Sequence, residues 1–261
     1  MTAPHTTSGR GLSRQLGLSI GCLPLCVHAA DEELLAAASS RYEPFLTMVG
    51  GSLPVHVNSG GSFSNAPAEF AYKFEGASLQ VSSGGVDFRG VRNEYALDSL
   101  LRVLLSWELL SHNGFLLHAS TVLRNGKAYV FTGRSGAGKS TVASLSPVGS
   151  VFTDEISLLR KEGSEWRAYG TPFWGEFRAA GLNSSAPVAG IFRLLQSPEN
   201  HVTPLRPMEL LRSALPNVLF FSSEPDANRR LLAILSRASE EIPGYNLEFR
   251  KDKTFWEVLP A

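Results

Sequence analysis

The segment "KAYVFTGRSGAGKSTVASLSP", Lys127 to Pro147, constrains this chain more than any other. An apolar, β-rich run leads straight into a glycine-rich loop, and the loop straight into a helix-forming run. Gly133 to Ser140 fits G-x-x-x-x-G-K-[ST], a phosphate-loop pattern that needs a strand before it and a helix after it. Both are expected here. Pro147 cannot lie inside a helix, so only about two turns should follow Lys139. A strand, an anion-binding loop and a helix in that order call for helices packed on a sheet, so the fold class expected is α/β.

Each loop position has a chemical reason. Gly133, Gly136 and Gly138 allow backbone conformations that turn successive N–H groups toward an anion, with Arg134, Ser135 and Ala137 between them. Lys139 would neutralise the outer phosphates, and the Ser140 hydroxyl is a ligand for Mg²⁺. The helix opening at Ser140 and Thr141 adds its positive end. The cofactors implied are Mg²⁺ and a nucleoside triphosphate, ATP or GTP. "GSVFTDEISLLR" then brings Asp154 and Glu155 unusually soon after the loop, on what should be the next strand, alongside it. A carboxylate there can hold Mg²⁺ or accept a proton from an attacking hydroxyl. The plainer alternative is a surface acidic pair at a strand end.

The rest of the chain divides by pattern. Residues 1–15 are polar and rich in Gly, Ser and Thr, which predicts a disordered start. Residues 16–92 read as a small α+β module. In it "LGLSIGCLPLCVHA" suits a strand or hairpin, although the same stretch, with basic residues upstream, mimics a secretory signal. Use of a nucleoside triphosphate favours the strand and a cytoplasmic location. Cys22 and Cys26, the two cysteines of the chain, would share a strand face and are expected as buried free thiols. "DEELLAAASSRYEPFL" predicts a helix ending near Pro44, and Thr47 to Arg92 a run of β-hairpins.

Residues 93–261 form the expected nucleotide-binding domain. A long buried helix should begin at Asn93 and end at Gly114. Asn125-Gly126 marks a hairpin, Pro207 a helix start, and "EPDANRRLLAILSRASEEI" an amphipathic helix. Tyr245, Leu247 and Phe249 alternate as in a strand; Phe255 and Trp256 read as core. Lys plus Arg equals Asp plus Glu at 24 each, which argues against a nucleic-acid partner bound through a basic surface. No apolar run reaches the about 18 residues of a membrane helix, so no membrane partner is expected.

The run from "FLLHAST" through "GRSGAGKST" to "FTDE" resembles the C-terminal domain of HPr kinase/phosphorylase, and more distantly phosphoenolpyruvate carboxykinase. "YGTPFWGEF", "SSAPVAGIF" and "YNLEFRKDKTFWEVL" are similar to bacterial HPr-kinase-like proteins found beside peptide-modification genes. The resemblance covers most of Leu97 to Leu259. It implies an HPr-kinase C-terminal-like P-loop domain, a mixed sheet with helices, behind the small α+β module. It gives His118, otherwise readable as a structural histidine, a place near the transferred phosphoryl group. Asp154 becomes base or metal partner, Glu155 stands where the family has a second aspartate, and Glu176 matches a later metal-binding glutamate. Thr141 departs from the family's glutamate, and no equivalent of its arginine-containing C-terminal segment is found. Arg178 and Arg193 are further phosphate candidates or surface residues. The activity implied is a Mg²⁺-dependent kinase acting on a serine of a protein or peptide, with HPr itself in doubt as acceptor. The alternatives are a small-molecule phosphotransferase and a non-catalytic nucleotide-binding partner in a peptide-modification system. A homo-oligomer is compatible with the resemblance. An ABC-type signature after the loop is missing, as are the H-R-D and D-F-G pair of protein kinases.

Overall fold

The computed structural model describes residues 14–58, 67–175 and 181–260 and shows a mixed α/β chain with two mixed sheets. Most of the expected disordered start lies outside the described residues, but Arg14 and Gln15 already belong to a strand. This is β1 (Arg14–Ile20), which forms a hairpin with β2 (Leu23–Ala29). The turn between them uses Gly21 and Cys22 at φ of 60° and 61°, the two-residue geometry that matches strand twist. The turn corrects the expectation for the cysteines. Cys22 is an exposed turn residue and Cys26 a buried strand residue, both free.

Helix α1 (Glu32–Arg41) starts at Asp31, whose carboxylate accepts from the Leu34 N–H at 3.0 Å, and acidic residues fill its first turn. It carries the chain over to β3 (Leu53–Val57), which lies parallel to β2. β4 (Phe70–Phe74), β5 (Ala77–Ser82) and β6 (Gly85–Arg89) follow as an antiparallel meander whose last strand runs parallel to β3. The hairpins expected over Thr47 to Arg92 are therefore only partly present. A parallel neighbour cannot be reached by a tight turn, and α1 supplies the crossover.

Helix α2 (Glu94–Glu108) is capped by the Asn93 side chain, which accepts from the Ala96 N–H. It ends earlier than expected, in a 3₁₀ turn closed by Asn113 at φ 52°. Gly114 instead opens β7 (Gly114–Arg124), where a Cβ would stand 2.8 Å from the Leu159 carbonyl oxygen. Asn125 and Gly126 turn β7 into β8 (Lys127–Thr132), as expected. The glycine-rich loop follows, then α3 (Lys139–Leu145), seven residues closed before Pro147.

β9 (Val151–Thr153), β10 (Ile156–Glu162), β11 (Glu165–Tyr169), β12 (Ser185–Gln196) and β13 (His201–Leu205) come next. They are followed by α4 (Pro207–Ala214), β14 (Val218–Leu219), α5 (Pro225–Glu241), β15 (Gly244–Phe249) and α6 (Phe255–Val258). The second sheet runs β11-β10-β7-β8-β12-β15-β13, with β9 and β14 also on β7. β8, β12 and β15 are parallel. Phe255 is wholly buried, in keeping with its reading as core. No described helix is long and apolar enough to cross a membrane.

One hydrophobic core joins the N-terminal sheet to the second. Leu97, Leu101 and Leu104 of α2 pack in the same cluster as Val27, Val55 and Phe88 on one side and Leu116, Ile156 and Leu158 on the other. The Phe70 and Trp107 rings stack at 4.5 Å and fasten β4 to α2. Leu101→Ala should therefore cost about 2–5 kcal/mol in urea denaturation, and fluorescence of Trp107 and Trp166 should report one shared transition. Separate transitions for the two sheets would contradict a common core.

Candidate functional site

The end of β8 delivers the glycine-rich loop to one edge of the sheet. Gly136 and Gly138 take φ of 76° and 115°, which side chains other than hydrogen rarely allow. At Gly138 a Cβ would also stand 2.9 Å from the Phe249 ring of β15, so the loop sits pressed on the sheet. Lys139 is nearly buried, and its Nζ donates to the Gly133 and Arg134 carbonyl oxygens at 3.0 and 3.3 Å. The ammonium is thus held inside the arc of the loop, where burial lowers its pKa.

The acids stand beside the loop on a bend and not within the next strand, where they were expected. β7 is one neighbour of β8, and β9 and β10 pair with the other edge of β7, Thr121 opposite Thr153 and His118 opposite Ile156. Asp154 and Glu155 form the bend between β9 and β10. The Thr153 hydroxyl accepts from the N–H groups of Glu155 and Ile156 at 3.4 and 3.3 Å, and the Glu155 carbonyl accepts from the Ala119 N–H at 2.9 Å. Such a local side-chain turn suits threonine. It projects both acids at the sheet end where the loop begins, with His118 of β7 between.

A cavity of about 310 Å³ brings together His118, Lys139, Ser140, Asp154, Glu155 and Gly175 with the loop backbone. Ser135, Gly136, Gly138 and Thr141 also face it. Gly133, Arg134 and Ala137 line another cavity on the outer face of the loop, where they meet Arg193 and Arg212, with Ser135 and Gly136 common to both. Glu176 and Arg178 lie outside the described residues.

The charges in the first cavity perturb one another. Burial lowers the His118 pKa, and the positive charges of Lys139 and Arg102 lower it further against the pull of Asp154. Glu155 is raised, first by burial and then by Asp154 and Asp98, while Arg102 opposes the rise. Gly175 sits between the two carboxylates. Its N–H donates to Asp154 Oδ1 at 3.2 Å, and a Cβ there would stand 3.1 Å from Glu155 Oε2 and 3.4 Å from Asp154 Oδ2. Among the described residues no cluster of three or more His, Cys, Asp or Glu marks a metal centre. The two carboxylates with the Ser140 hydroxyl nevertheless make a hard oxygen set of the kind Mg²⁺ accepts, and a crowded carboxylate of raised pKa gains from a nearby cation.

Several residues behind the acids escaped sequence reading. Arg41 of α1 binds Asp98 at 3.1 Å, Asp98 binds Arg102 at 2.8 Å, and Arg102 reaches Glu155 at 3.6 Å. The Tyr42 hydroxyl also donates to Asp98 at 3.3 Å. The one local signal was the Asp98–Arg102 spacing of four on a helix face, in a segment that read as plain core. Arg41 carried none.

The profile of one family, described as SynChlorMet cassette protein ScmC, matches residues 97–260. The match takes in most of α2, the loop, both acids and the sheet around them. No curated protein matches the chain.

In an NMR titration the His118 ring should protonate below the usual 6.5, and Lys139→Met should move that midpoint upward. An unchanged midpoint would separate the two side chains. Glu155 carries the opposite kind of shift. Its folded pKa lies above the unfolded value, so its contribution to stability is full below the unfolded pKa and is lost as pH rises through the folded one. Glu155→Gln should therefore gain in stability relative to the parent as pH rises from the unfolded carboxylate range through the raised folded pKa, read from urea midpoints. A pH-independent difference would contradict the shift.

Proposed function

The chain belongs to the ScmC family of SynChlorMet cassette proteins, and from its site we propose a Mg²⁺-dependent kinase acting on a serine hydroxyl of a protein or peptide. The phosphoryl donor is the γ-phosphate of ATP or GTP. One observation carries this reading: Lys139, Ser140, His118, Asp154 and Glu155 converge on a single cavity beside the loop backbone. A strand, a glycine loop, a helix of seven residues and two strands joined by a bend that bears two acids also support an HPr-kinase-like P-loop fold.

The loop N–H groups and Lys139 would hold the phosphates. To do so, Lys139 exchanges the neutral Gly133 and Arg134 carbonyls for charged phosphate oxygens, which are stronger partners. Ser140, Asp154 and Glu155 would hold the metal, with Glu176 next in sequence to Gly175 as a further carboxylate. Bound Mg²⁺ would neutralise charge on the phosphoryl oxygens. Asp154, oriented by the Gly175 N–H, accepts the proton of the serine hydroxyl as its oxygen forms a bond to phosphorus. The bond from that phosphorus to the β-phosphate oxygen breaks, and the nucleoside diphosphate leaves. His118, with its lowered pKa, is neutral near pH 7 and can offer a hydrogen bond without adding charge. Dependence on a nucleotide supports a cytoplasmic location.

With γ-labelled ATP and serine peptides, Asp154→Asn should lower transfer by about 100-fold or more and leave nucleotide affinity within about threefold. Lys139→Met should weaken nucleotide binding itself by about tenfold or more. Comparable turnover in Asp154→Asn would remove the assigned base. Nucleotide binding without transfer to any acceptor would leave a binding protein.

A further inference from the structure

We infer that a second cavity, across Glu155 from the glycine-rich loop, receives the acceptor and recognises a carboxylate close to its hydroxyl. The inference rests on the kinase reading and names the substrate chemistry that the same site would select. The cavity holds about 330 Å³ and is walled by Arg41, Tyr95, Asp98, Arg102 and Trp174. It shares Glu155 and Gly175 with the loop cavity, so the two meet at Glu155 and at the glycine whose N–H binds Asp154. In-line transfer needs donor and acceptor on opposite sides of the moving phosphoryl group. The loop lines one of the two cavities that meet at Glu155, and the other is free to take the acceptor.

Its chemistry points to oxygen atoms that accept hydrogen bonds. Arg102 Nε and Trp174 Nε1 are buried and have no hydrogen-bond partner among the described residues. Both groups can only donate, and a buried donor without an acceptor is costly. A cationic or purely apolar occupant would leave both unpaired. The Arg41 guanidinium lies over Trp174 at 4.6 Å and Tyr95 at 5.2 Å, which fixes its plane. Charge agrees with the donors. Asp98 is bound by both arginines, at 3.1 and 2.8 Å, while Glu155 makes only the longer 3.6 Å contact to Arg102. Engagement of Glu155 on the phosphate side leaves two guanidinium groups facing one carboxylate. An acceptor carboxylate restores the balance and supplies the missing oxygens. It could belong to the terminal carboxyl of a serine unit or to an acidic side chain beside the serine.

Three probes separate these cases: N-acetylserine, N-acetylserinamide and acetyl-Ser-Glu-amide, titrated by calorimetry into the full chain without nucleotide. At least one carboxylate probe should bind about tenfold or more tighter than the serinamide, and which one does so identifies the carboxylate's source. Trp174→Phe, which removes only the indole N–H donor, should weaken that probe by about tenfold. Its nucleotide affinity should be unchanged and its melting temperature near that of the parent. Equal binding of carboxylate and amide probes, or full affinity in Trp174→Phe, would overturn the inference. So would no binding by either carboxylate probe at about 10 mM, where millimolar affinity already shows. Phosphorylation of serine peptides without carboxylate preference would refute this subsite and keep the kinase. Carboxylate-selective binding without any phosphoryl transfer would support the subsite and refute the kinase.

Discussion

The pairing of β7 with strands on both of its edges is the constraint on which the site depends. β8 takes one edge and the bent β9–β10 run takes the other. The ladder hydrogen bonds fix the register, and a slip of one residue would turn every side chain to the opposite face. In the register observed, the loop at the end of β8, His118 on β7 and the acids at the β9–β10 bend meet at one end of the sheet. Their proximity comes from three aligned strands. Nearness in sequence alone does not produce it.

The electrostatics follow from that placement. Two carboxylates, one ammonium and one imidazole share a partly buried space, so each changes the energy of charging the others. Lys139 and His118 are both pushed toward their neutral forms, and Glu155 toward its protonated form. Asp98 extends the network into the N-terminal part of the chain. A carboxylate as buried as Asp98 requires good partners, and Arg41, Arg102 and Tyr42 provide them. The site is therefore tied by charge to α1 and α2 as well as by chain connection to β8. The N-terminal sheet also shares a hydrophobic core with the second sheet.

Much of the local structure was legible from short stretches. The loop, the Asn125-Gly126 hairpin, the Asn93 cap and the short helix before Pro147 all depend on a few neighbouring residues. Two boundaries failed for equally local reasons. Asn113 can take the left-handed turn that Gly114 was expected to make, and Gly21-Cys22 can form a two-residue turn that separates the cysteines.

By itself, the sequence determined the glycine-rich loop, the identity of the acids near it and the α/β character of the chain. Backbone torsions and side-chain chemistry act there over a few residues. Tertiary structure alone decided that β3 lies parallel to β2, that β7 separates the loop strand from the acids, and that Arg41, Asp98, Arg102 and Trp174 stand behind Glu155. These depend on pairing and packing between segments far apart in the chain. Hydrophobic period and turn residues carry no record of which distant segment is the partner.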